Sequence, residues 1–128
     1  MRIVLDTNIL VWAHAKARGP ARSLLLTIVS SPEHKLLLSP FLFQELERVL
    51  GYARLREVAK LTSEEVDEYL KHLRAESISE MIFPGPVPPV VAADPADDPV
   101  LHTAVVGRAD VLCTLERHFF MHLGQALL

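Results

Sequence analysis

Residues Ile3 to Leu5 form a short, unbroken apolar run closed by Asp6, the pattern of a strand buried on both faces at the centre of a parallel sheet. Thr7 and Asn8 offer N-cap oxygens for a helix to about residue 17, and Gly19-Pro20 breaks the chain and opens a second helix to about Ser30. A second strand, Lys35 to Ser39, runs into Pro40, which begins a helix reaching about Arg54. Thr62 to Glu65 matches a capping box, so another helix starts there and continues past Leu73. Six of the nine prolines fall between Phe83 and Pro99, which reads as extended connection around a short strand near Val87 to Ala92. Asp98-Pro99 opens a helix to about Arg108, Asp110 to Thr114 forms a fourth strand, and Arg117 to Leu123 makes a last helix. Strands alternating with helices predict an α/β chain, with helices on both faces of a parallel sheet of about four strands. Trp12, flanked by Leu10 and Val11, reads as core.

Composition narrows the class. With 128 residues, half of them hydrophobic, the chain is expected to form one domain over 1–128 with a full core. Cys113 is the only cysteine, which removes disulfide frameworks and cysteine-rich zinc sites and points to a reducing, cytoplasmic interior. No stretch of about 18 uncharged apolar residues occurs, so no membrane partner is expected. The net charge of −3 is uneven: residues 1–60 hold nine basic against five acidic side chains, and 61–98 hold two against nine. A polyanion could be met only by a local patch in the first half, with Arg18, Arg22, Arg48 and Arg54 as the contact residues. The five glycines are too scattered for a phosphate-binding loop. His118 and His122 have helical spacing but lack the further glutamate and histidine of a zinc pattern.

Four acids carry the chemistry. Asp6 lies at the carboxyl end of the first strand, where ligands bind in open α/β sheets, although a plain capping acid would sit there too. On the third helix Phe41, Leu42, Leu46, Val49, Leu50 and Ala53 make an apolar stripe, with Gln44, Glu47 and Arg48 on the polar side. Glu45 falls at the edge of that stripe, where desolvation favours a functional or ion-paired carboxylate over a merely solvated one. Asp98 before Pro99 is the expected N-cap, which leaves Asp97 without a capping role. Glu116 follows the fourth strand. If the first and fourth strands are neighbours, the four acids converge, and like charges so close need protons or hard cations. Oxygen-only ligands select magnesium or manganese, which activate water against phosphodiesters.

At this point the sequence resembles the PIN-domain ribonucleases, the family that includes the VapC-like toxins of prokaryotic toxin–antitoxin pairs. The resemblance rests on Ile3 to Asn8, on Glu45 within Phe43 to Leu46, on Asp97 seven positions before Ala104, and on Ala109 to Glu116. It implies a PIN-like three-layer α/β/α fold and a metal-dependent ribonuclease that leaves 5′-phosphate and 3′-hydroxyl ends. By the same resemblance Asp6, Glu45, Asp97 and Glu116 are the metal-binding catalytic acids, with Thr7, Asn8, Asp98 and Thr114 supporting them. RNA is the implied substrate, and an antitoxin protein or a second copy of the chain an implied partner. The chain departs from the family in reading Thr114-Leu115-Glu116 where Thr-Gly-Asp or Thr-Ser-Asp is usual, and in having His118 where a further acid is common. It also ends at Leu128, where many relatives continue into another strand and helix, so a smaller sheet, or one completed by a partner, is expected. A dehalogenase-type phosphatase is disfavoured because Asn8 stands where its second aspartate belongs. The alternative from another class is a catalytically inactive PIN-like module that binds RNA or protein.

Overall fold

A computed structural model of the chain describes residues 1–14, 16–85 and 99–114, together with the backbone of 98, 121 and 122. Among the described residues there are five strands, β1 (Arg2–Leu5), β2 (Lys35–Leu38), β3 (Ser79–Met81), β4 (Val111–Cys113) and β5 (Met121–His122), in the order β3-β2-β1-β4-β5. The first four in this order are parallel, and β5 is antiparallel to β4. Around them lie α1 (Thr7–Trp12), α2 (Pro20–Ser30), α3 (Pro40–Leu50), α4 (Ala53–Ala59), α5 (Ser63–Leu73) and α6 (Asp98–Val106).

Alternation along the strands builds the three layers. Ile3, Leu5, Leu36 and Leu38 enter one core with Ile9 and Leu10 of α1, Leu25 and Ile28 of α2, Leu46 and Leu50 of α3, and Leu70 and Leu73 of α5. Val4, Leu37 and Leu112 point the other way, onto Leu42, Ile82 and Ala104. Both faces of the sheet are covered, which is why its central strands read as continuous apolar runs. Tyr69 crosses the first core to donate its hydroxyl to the Leu10 carbonyl at 2.6 Å, and burial raises its pKa.

Several expected boundaries move. The first helix stops at Trp12 rather than near residue 17, because the Ala13 carbonyl is taken by the Arg22 guanidinium at 3.0 Å and the Ala17 amide bonds to the His14 carbonyl instead. Trp12 itself is 47% exposed, not core. The helix from Pro40 ends at Leu50, where Gly51 donates back to Glu47 and Arg48, and a separate helix, α4, follows. That helix has no buried residue and no side-chain cap at Tyr52, so nothing in its apolar pattern announced it. Phe41 and Ala53 leave the apolar stripe for solvent, and Phe43 joins it. The third strand is Ser79–Met81; the stretch 87–92 expected to supply it lies outside the described residues. Its Glu80 pairs with Arg2 at 2.6 Å, a charged exposed edge that hides the strand from a hydropathy reading. Within the helix expected over 117–123, residues 121 and 122 form β5.

Two features of the packing generate tests. Gly107, just beyond α6, is buried, and a Cβ there would lie 2.9 Å from the Thr103 carbonyl oxygen and 3.0 Å from Leu37 Cδ1. Gly107→Ala should therefore lower stability by about 1–3 kcal/mol through overpacking, measured as a loss in denaturant midpoint. His14 is buried, its Nδ1 accepting the Lys16 amide at 3.2 Å, and burial, helped by Arg22, lowers its pKa below the usual 6.5. A depressed folded-state pKa means the unfolded chain takes up the proton first, so this contribution is complete above the unfolded value and is lost as pH falls below it. Melting temperature should decline from pH 7.5 to 5.5 in the parent and decline less in His14→Gln.

Candidate functional site at the carboxyl edge of the sheet

β1 pairs with β2 at Val4↔Leu37 and with β4 at Leu5↔Cys113, so continuing the parallel register sets Ser39, Asp6 and Thr114 side by side just beyond the strands. This edge is also a topological switch point, because the chain leaves β1 to one side for β2 and joins it from the other through β4. The Asp6 amide still donates to the Cys113 carbonyl at 2.9 Å, and the Asp6 carbonyl accepts the Leu10 amide at 3.1 Å, so the residue ends the strand and starts the helix at once. Its extended ψ of 155° carries the carboxylate over the helix start, where Oδ1 accepts the Asn8 amide at 2.9 Å. The N-cap of α1 is thus Asp6, and the expected caps Thr7 and Asn8 lie inside the helix, half-buried and exposed respectively. Oδ2 of Asp6 makes no hydrogen bond among the described residues.

Next to Asp6, Ser39 is the N-cap of α3, accepting the Leu42 amide at 3.3 Å. The buried hydroxyls of Ser39 and Thr103 share a hydrogen bond of 2.9 Å, and Thr103 Oγ1 is 2.8 Å from the Pro99 carbonyl one turn earlier. This chain of hydroxyls fastens the first turns of α6 to the end of β2. It was missed in the sequence, where a lone threonine in an apolar helix carries no signal, and Ser39, expected as the last residue of the second strand, is instead the cap before Pro40. Beside it a cleft of about 550 Å³ opens between the starts of α3 and α6, lined by Phe41, Phe83, Pro99, His102 and Thr103.

Glu45 lies on α3 at the rim of the core, as its position in the stripe predicts, with its side chain 33% exposed. It is ion-paired: Oε1 accepts Arg48 Nε at 3.2 Å and Oε2 accepts Arg48 Nη2 at 2.7 Å. Nη1 of the same guanidinium donates to the Tyr52 hydroxyl, and its carbon lies 5.6 Å from the Tyr52 ring centroid. The carboxylate raises the Arg48 pKa. Of the other cations expected to meet RNA, Arg22 holds the end of α1, and Arg18 and Arg54 are exposed.

Asp97 and Glu116 lie outside the described residues, as do His118 and the side chains of Asp98 and His122. The backbone of Asp98 is the first helical residue of α6 and not the residue before it, where the cap was expected. Thr114 is half-buried at the end of β4. Among the described residues no group of three or more His, Cys, Asp or Glu side chains is placed to hold a metal ion. What they offer at this edge is oxygen: the Asp6 carboxylate, with Ser39, whose hydroxyl is engaged by Leu42 and Thr103, and Thr114 at the neighbouring register positions. Cys113 is buried with its thiol pKa raised, so no thiolate competes. Such donors suit a hard cation such as magnesium or manganese. Asp6 fits that role through Oδ2, and Glu45 fits it only when its oxygens leave Arg48.

The PIN domain family model matches residues 2–118. No curated protein matches the chain. Members of that family are in general nucleases acting on RNA with divalent metals. No helix among the described residues is long and apolar enough to cross a membrane.

Because Thr103 and Ser39 are fully buried, removing one hydroxyl leaves the other short of a partner. Thr103→Val should lower stability by about 1–3 kcal/mol, read as a loss of melting temperature, and Ser39→Ala in the Thr103→Val background should cost less than Ser39→Ala alone.

Proposed function

The chain belongs to the PIN-domain family, and we propose that it is a magnesium- or manganese-dependent ribonuclease acting through Asp6, Glu45, Asp97 and Glu116. The observation that carries the reading is the Asp6 carboxylate at the end of the central strand, at the switch point of the sheet, fixed by the head of α1. We place the whole of 1–128 in a single cytoplasmic domain, with Thr7, Asn8, Asp98 and Thr114 supporting the acids. The Glu116 departure makes the second half of the acidic set longer by one methylene than the family's aspartate.

A bound divalent ion supplies an acidified water and neutralises charge on the phosphodiester. The Asn8 amide orients Asp6 by holding Oδ1, so that Oδ2 is presented at the edge without further side-chain ordering. Glu45, once free of Arg48, would complete the set of carboxylates that holds the ion or orient the attacking water. In the net hydrolysis the water oxygen bonds to phosphorus, the bond to the 3′ oxygen breaks, and the proton the water gives up ends on that oxygen, leaving a 5′-phosphate and a 3′-hydroxyl. The N-termini of α3 and α6 point at the same edge, and their positive ends favour an anionic backbone there. Arg18 and Arg54, exposed on the basic half, are the contacts proposed for RNA phosphates. The family resemblance extends this reading to the toxin of a toxin–antitoxin pair, with an antitoxin or a second copy of the chain as partner.

A second reading, a PIN-like module that binds RNA or protein without cutting it, draws on one observation: both Glu45 oxygens are engaged by Arg48. Cleavage separates the two. The parent should cut single-stranded RNA with magnesium or manganese and stop in chelator. Asp6→Asn retains the cap and should lose about two orders of magnitude in rate or more, the scale of several kcal/mol of charge stabilisation. Equal cleavage by both proteins would reject the acidic site. RNA binding without cleavage in the parent would favour the module.

A further inference from the structure

The Glu45–Arg48–Tyr52 constellation is more than a surface ion pair, because two of its members share one helix and the third is fixed just past that helix's end. Glu45 and Arg48 are three residues apart on α3, so their side chains share one face. Tyr52, four residues beyond Arg48, is fixed past the helix end by its amide, which donates to the Val49 carbonyl at 3.1 Å. The guanidinium meets the carboxylate through two nitrogens and two oxygens, the fork geometry that arginine makes and lysine cannot. Its remaining amino group and its face are occupied by Tyr52. The arginine is therefore held in advance for Glu45, and Glu45 has no oxygen outside the pair.

We propose that Arg48 is a latch on Glu45: it competes with the divalent ion for this carboxylate, so that metal loading requires the Glu45–Arg48 pair to open. The proposal rests on the reading of Glu45 as a metal ligand and adds how that ligand is regulated. Half-exposure makes the competition winnable. The pair has side-chain exposures of 33% and 56%, and ion pairs so wetted contribute little net stability. A doubly charged ion held at the same time by Asp6 can displace the guanidinium, at a cost in affinity that the latch sets. Opening also returns a guanidinium fork to the surface of α3, where it can take a phosphate oxygen in place of the carboxylate. Arg48 is thus a positioning residue, acting on the metal through Glu45.

Manganese binding by calorimetry, at physiological ionic strength and without RNA, tests the latch on the full chain, using the parent, Asp6→Asn, Arg48→Met, Glu45→Gln and the Arg48→Met/Glu45→Gln double variant. Metal-free melts report whether each variant is folded, and the exposed Arg48 site should tolerate methionine. Arg48→Met should bind manganese about two- to fivefold more tightly than the parent, the range a half-exposed ion pair supports. In the Glu45→Gln background the same substitution should change affinity by less than half as much on a logarithmic scale. Damage to the fold would weaken binding, so tightening is a signature that a structural role does not produce. Unchanged or weaker binding by Arg48→Met, with binding lost in Asp6→Asn, overturns the latch and leaves the metal site standing. Equal tightening in both backgrounds also overturns it, since it reports general charge and not the pair. Binding by Asp6→Asn as tight as the parent's overturns the metal reading and the latch together.

Discussion

Hydrogen bonding of β1 on both sides to parallel neighbours is the constraint from which the rest of the structure follows. A strand so placed has every backbone group committed and both faces buried, so the chain can leave only at its carboxyl end, and all four parallel strands must end at the same edge. Helices α1 and α3, which follow β1 and β2, therefore begin at that edge. Helix α6, which precedes β4, runs the opposite way along the sheet and also begins there. Asp6, Ser39 and Thr114 are the first residues beyond the strands, and three helix starts lie at the same edge. The site is a consequence of topology before it is a matter of particular side chains.

Side chains then fix the distances. Ser39 caps α3 and through Thr103 secures the head of α6, while Gly107 at the far end of the same helix allows its backbone close to Leu37. Arg2 fastens the opposite edge, donating to the Gly107 carbonyl at 2.9 Å and pairing with Glu80 across β2. The helix is thus tied to the sheet at both ends. At Asp6 the capping bond uses one carboxylate oxygen and leaves the second without a hydrogen bond among the described residues.

The sequence was most legible where burial is symmetric. β1, β2 and β4 are apolar runs because both faces are covered, and α2 and α5 carry their own start signals in Pro20 and in the Thr62–Glu65 box, whose two bonds are formed at 3.0 and 3.1 Å. It was least legible at edges. β3 has a buried serine, an exposed glutamate and a half-buried methionine, a pattern no periodicity rule assigns to a strand. α4 lacks a buried face, and Trp12 shows that an aromatic between two core residues can still be the one that faces outward. Within the site, position at a strand end identified Asp6, and helical spacing put Glu45 at a core rim. Spacing also placed Arg48 three residues on, but on a face read as polar, because a hydropathy pattern records which residues avoid water and not which of the exposed ones bind each other. Asp97 and Glu116 were singled out by their places before the sixth helix and after the fourth strand, and the family resemblance supplied their roles.

The central claim is that the edge around Asp6 holds a divalent ion, and paramagnetic broadening by manganese reports on it directly. In a backbone amide spectrum titrated with substoichiometric manganese, the resonances of Asp6, Asn8, Ser39 and Thr114 should broaden first, and those of α5 and of Arg2 at the opposite edge should persist. Broadening that starts on the acidic face of α5, or that is unchanged in Asp6→Asn, would contradict the account.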